Sequence, residues 1–171
     1  MTFGTGKVAN ALGMLPQALG NLCRELMPAK PLNKHYRYSP DEVLWLACYR
    51  YARATGLEAF PAKVLIGGQA MLLMLRALLA SAAPDPAEAV NRLRNVPILY
   101  GTRYCLAEAG DETEVVGEPL LIEVQRLLSK LAEPRIAADG AGFARPTVFL
   151  TPLAPPLNIL DRVIRENSNA A

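Results

Sequence analysis

Residues 5–26 read TGKVANALGMLPQALGNLCREL, and this stretch decides what the rest of the chain can be. Val8, Ala9 and Leu12 share one face of a first short helix. Gly13 follows, where a tight or left-handed backbone costs least. Pro16 suits the first turn of a second helix, because the amide it lacks would have had no intrahelical partner there. Leu15, Leu19, Leu22 and Leu26 then recur at intervals of four, three and four, an apolar stripe with the period of a core-facing helix. Gln17, Asn21 and Arg24 fall off that stripe, on the outward side. Gln and Asn can make paired hydrogen bonds to adenine, and Arg to guanine or phosphate. Cys23 rides on the same helix and reads as a small helix residue. An ordinary helical hairpin in an unrelated core carries the same signature.

Beyond this pair, residues 28–38 (PAKPLNKHYRY) hold two prolines and cannot be helical, while the closing Tyr-Arg-Tyr suits a short strand. Ser39-Pro40-Asp41-Glu42 is a strong helix start. Ser39 is the N-cap, Pro40 takes the first helical position, Glu42 completes a capping box, and Tyr38 and Val43 form a hydrophobic staple. That helix should run to about Thr55 and stop at Gly56.

The chain has 171 residues, 51% of them hydrophobic and 20% charged, too apolar for disorder. Three cysteines, at 23, 48 and 105, lack CxxC spacing, so neither a zinc site nor a disulfide framework is encoded. An odd number of thiols and the absence of a leader at the start imply a cytoplasmic protein. Residues 1–53 carry seven basic and three acidic side chains, a net of +4, whereas 54–171 carry 11 and 13, a net of −2. A basic first third on an acidic body is the pattern of a polyanion-binding module. No nucleotide loop is present, since Gly4-Thr5-Gly6-Lys7 is followed by Val8 where Ser or Thr would hold magnesium. With one histidine and no paired-carboxylate motif, no catalytic constellation, cofactor or metal site is expected, and the chain reads as a non-enzyme.

Arg37, Tyr38, Ser39, Glu42 and Val43, with Ala9, Gly13 and Leu19 before them, carry a resemblance. Residues 5–56 resemble the winged N-terminal domain of MerR-type regulators and the related excisionases. In that family a helix-turn-helix is followed by a wing ending in Tyr-Arg-x-Tyr-Ser/Thr-x-x-Asp/Glu-Val/Leu. The family's basic-aromatic run is replaced here by Gly20-Asn21-Leu22-Cys23-Arg24-Glu25. The resemblance implies that the helix from Pro16 enters a major groove of double-stranded DNA, with Gln17, Asn21 and Arg24 at bases or nearby phosphates. Lys7, Lys30, Lys34, His35 and Arg37 are then the positioning contacts to phosphate.

Residues 64–83 (VLIGGQAMLLMLRALLASAA) have the length of a membrane span, but Gln69 and Arg76 interrupt them, and Arg at mid-bilayer costs roughly 2.5–3.5 kcal/mol. A buried helix from about Gln69 to Ala82, apolar nearly all round, is expected instead, covered by the rest of the chain, by a second copy, or by a protein partner. Pro84-Asp85-Pro86 should end it and start another helix from Ala87 to about Arg94. Val96–Leu106 reads as a strand bent at Gly101, and Pro119 as the start of a helix through about Ala132, striped by Leu120, Val124, Leu127, Leu128 and Leu131. Residues 134–146 read as a loop and Thr147–Leu150 as a strand. Pro152, Pro155 and Pro156 block regular structure before a last helix from Leu157 to about Glu166. Arg92, Arg94 and Arg103 either extend the basic surface or pair with Glu108, Asp111 and Glu112; mixed charges favour pairing.

The expectation is therefore a mainly α protein with some β. A winged helix-turn-helix spans 1–60, and a helical and small α/β dimerisation or regulatory unit spans 61–171. Its function would be that of a sequence-specific, homodimeric transcription regulator. An assembly factor using 64–83 as its partner surface, and an excisionase-like recombination accessory, remain open.

Overall fold

The computed structural model of this chain describes residues 1–27, 36–59, 62–63, 66–94, 98–105, 113–114, 120–122 and 145–168. The fold is mainly helical with some β. Strand β1 (Phe3–Gly4) leads into α1 (Thr5–Ala11) and α2 (Pro16–Leu26), and β2 (Arg37–Tyr38) precedes α3 (Pro40–Ala54). Helices α4 (Gln69–Ala82) and α5 (Pro86–Leu93) follow, then β3 (Ile98–Cys105), β4 (Thr113–Glu114), β5 (Leu120–Ile122), β6 (Arg145–Pro152) and α6 (Ala154–Ser168).

Local chemistry accounts for the helix ends. Gly13 has φ +63° and Gly56 has φ +102°, the left-handed backbone that closes α1 and α3. At each end the same two bonds form: Met14 N to Ala9 O with Gly13 N to Asn10 O, and Leu57 N to Ala52 O with Gly56 N to Arg53 O. This is the Schellman pattern, which satisfies carbonyls the helix leaves unpaired. At the start of α3 the Glu42 carboxylate reaches back to accept from the Ser39 amide at 3.0 Å, while Tyr38 and Val43 both enter the core. The Asp85 side chain accepts from the Glu88 amide and caps α5.

One core joins the helices. Phe3, Val8, Leu19, Trp45, Leu75, Leu93 and Leu160 belong to a single buried cluster running from the first strand to the last helix. Helix α3 packs on α4 and α6, α6 also touches α1 and α5, and the Trp45 indole N–H donates to the Ile66 carbonyl. Residues on both sides of position 60 therefore share the same interior.

Helix α4 matches the expected bounds, but its cover is one-sided. Met71, Leu72, Leu75 and Leu79 are buried, while Leu73 is 51% exposed. Arg76, which argued against a membrane span, pairs its Nε at 2.8 Å with the buried carboxylate of Asp41. Among the described residues no single helix is long and apolar enough to cross a membrane; α4 and α5 reach that length only as a pair bent by 95°.

The second sheet is antiparallel around β3. Strand β6 lies along one side of β3 in the register Ile98↔Pro152 to Cys105↔Arg145, and β5 and β4 share the other side. Gly101 stays in the ladder opposite Phe149. Leu120–Ile122, expected to open a helix, is strand β5, because pairing with Ile98–Tyr100 supplies a ladder that helical periodicity cannot foresee. Pro146 and Pro152 lie in β6, an edge strand among the described residues, the kind of strand in which proline is found. Helix α6 begins at Ala154 rather than Leu157: Pro155 and Pro156 sit in its first turn, whose amides have no intrahelical acceptor.

Candidate nucleic-acid interface

Helix α2 has two unlike sides. Leu19, Cys23 and Leu26 are buried, Leu22 is half-buried, and Gln17, Asn21 and Arg24 are exposed. The expected stripe is thus shifted at its start. Leu15, placed in the core by spacing, is 76% exposed, and Cys23 takes a core position instead. The cause is Pro16, which disfavours helical backbone in the residue before it. Leu15 accordingly sits at φ −73°, ψ 146°, as the N-cap, and leaves the helical phase. Cys23 points inward, where its Sγ lies 3.5 Å from the Tyr38 hydroxyl, so it does not belong to the exposed face. That contact ties α2 to β2.

The exposed trio is partly pre-arranged. The Arg24 guanidinium donates from Nη2 to Asn21 Oδ1 at 2.6 Å and from Nε to the Gly20 carbonyl at 3.3 Å. A guanidinium has five N–H donors, so Arg24 keeps outward donors while bonded to Asn21. Asn21 orients Arg24, and a paired contact from Asn21 to adenine would require that bond to open. Glu25, the acidic neighbour, stands 4.0 Å from Lys63.

The β1–β2 ribbon lies beside α1. Phe3 pairs with Tyr38 and Gly4 with Arg37. Arg37 is exposed, and a Cβ on Gly4 would come within 3.3 Å of its Nη1, so Gly4 leaves the guanidinium room to lie across the ribbon. Two-residue strands have no readable period, and nothing in the sequence announced β1. Below the ribbon, Tyr36 donates to Glu42 Oε1 at 2.8 Å, and its ring meets that of Tyr38 edge-on.

The other expected contacts fare differently. Lys7 is directed at the C-terminal turn of α6, donating to the Glu166 carbonyl at 3.1 Å and Asn167 Oδ1 at 3.4 Å. Its charge complements the carbonyl end of that helix, a structural task. Lys30, Lys34 and His35 lie outside the described residues. Arg92 pairs with Glu88 and Arg94 with Asp161, whereas Glu108, Asp111 and Glu112, the partners expected from the sequence, lie outside the described residues. Among the described residues no group of His, Cys, Asp or Glu side chains is placed to hold a metal ion. Comparison with known protein families, with characterised proteins and with solved structures finds no match to this chain.

Proposed function

We propose that this chain is a sequence-specific regulator that binds double-stranded DNA as a homodimer. In this reading α2 enters the major groove and the β1–β2 ribbon rests beside it as a wing, as the resemblance to MerR-type regulators implies. The observation that carries it is the divided character of α2. Its inner side is anchored by Leu19, Cys23 and Leu26, while Gln17, Asn21 and Arg24 are exposed on the other. An anchored helix presents hydrogen-bonding groups at little entropic cost on binding. Arg24 and Arg37 supply the phosphate charge, and Lys30, Lys34 and His35 would add to it from the connecting stretch. The α4 face around half-exposed Leu73 is the surface offered to the second copy.

The test uses the full chain, because the core of the first 60 residues is shared with α4 and α6. Selection from a pool of random duplexes should enrich one sequence, and affinity for it should fall steeply with salt. A folded chain that enriches nothing, even at low salt, overturns the proposal. The exposed Leu73 also favours a second reading, an assembly factor for another protein. That reading predicts a salt-tolerant complex with no DNA affinity, which sedimentation with and without duplex distinguishes.

A further inference from the structure

Leu15 breaks two local preferences at once. It is more exposed, at 76%, than the other large hydrophobic side chains on the described surface, Met1 at 57% and Leu73 at 51%. It also occupies the N-cap of α2 with no side-chain cap bond, at a position where Ser, Thr, Asp or Asn is strongly preferred. Neither the core nor the helix end gains from it. A third departure lies on the same helix. Gly20 interrupts α2 between Gln17 and Arg24, yet a Cβ built there would meet nothing within 4 Å. Among the described residues no contact requires glycine at that point, whereas close approach of an outside partner would.

These features define the partner's chemistry. Gln17, Asn21 and Arg24 call for a surface of acceptors and donors, while Leu15 calls for an apolar spot at the tip of the helix. On base-pair edges in the major groove the apolar group is the C5-methyl of thymine, and the N-terminal residues of a recognition helix are those that meet base edges. We propose that Leu15 is a specificity-determining residue that reads a thymine methyl at the end of the site α2 enters first. The inference rests on the DNA reading of α2 and deepens it.

The test replaces each thymine of the selected duplex in turn by uracil, which removes the methyl and keeps the pairing. Wild-type chain should lose affinity about fourfold at one thymine per half-site, the effect of one buried carbon. Leu15→Ala should bind all the duplexes alike. Gln17→Ala, as a control, should bind more weakly and keep the uracil penalty. The side chain is exposed, so Leu15→Ala should keep the wild-type circular dichroism spectrum. If uracil costs nothing anywhere, or Leu15→Ala retains the penalty, the methyl assignment falls while the DNA reading stands. If no duplex is selected at all, both fall together.

Discussion

Lys7 donates to the carbonyl of Glu166 at 3.1 Å, so the first helix is tied by its side chain to the last turn of the last helix. The bond is half-exposed and charge-assisted, and joins two elements of the fold. Lys7→Ala should therefore lower unfolding free energy by about 1 kcal/mol, measured by urea denaturation. The dependence of DNA affinity on salt should keep the wild-type slope. A slope reduced by about one unit would instead return Lys7 to the phosphate contacts.

Asn21 and Arg24 act as one unit if their 2.6 Å bond orients the guanidinium. Arg24→Ala should weaken duplex binding and reduce the salt slope by about one unit. Asn21→Ala should weaken it less, and the double variant should bind like Arg24→Ala alone. Additive losses would mean that Asn21 makes its own contact. Arg37→Ala should also reduce the slope by about one unit, with sequence preference unchanged.

Gly13 and Gly20 separate stability from function. At φ +63° a side chain on Gly13 is strained, so Gly13→Ala should destabilise by roughly 1–2 kcal/mol. Gly20 lies in open space within a helix, so Gly20→Ala should stabilise by about 1 kcal/mol. If α2 approaches DNA closely, the same substitution should weaken duplex binding. Calorimetric melting and duplex titration on one preparation give both readings.

The Asp41 carboxylate is buried and the Arg76 guanidinium is half out of the surface, 2.8 Å away. Arg76→Ala leaves the carboxylate without this partner and should cost roughly 1–3 kcal/mol. Asp41→Asn in the same background should recover part of that loss, since a neutral amide is cheaper to bury. Denaturant midpoints of the two variants check the order.

Burial holds the Cys48 thiol and the Tyr38 and Tyr49 phenols protonated above their ordinary values of 9.0 and 10.0. Tyr38 is pushed up further by its contact with Cys23, and Tyr49 by the charge of Glu25. The sign follows from linkage. Below the unfolded values both states keep their protons and stability is complete. As pH rises past about 9, only the unfolded chain releases them, so stability falls, by about 1.4 kcal/mol per pH unit for each fully shifted group. Denaturation between mildly and strongly alkaline pH should show this decline, and Cys48→Ala and Tyr38→Phe should each flatten it. A stability that stays level through this range would mean these groups titrate when folded.

Much of the fold was legible from short-range chemistry. Gly13, Gly56, Pro40, Glu42 and the Asp85 cap govern their own neighbourhoods, since a left-handed turn or a helix start depends on a few adjacent residues. The bounds of α4 and the outward place of Gln17, Asn21 and Arg24 followed from periodicity for the same reason. Tertiary structure alone decided matters set by residues far apart in the chain. Leu120–Ile122 became a strand because β3 offered a ladder, Arg76 met Asp41 across two helices, and Lys7 turned to the end of α6. Leu15 shows the boundary between the two: spacing placed it inside, but the extended backbone imposed by the following proline set it outside, where Cys23 had no reason to go.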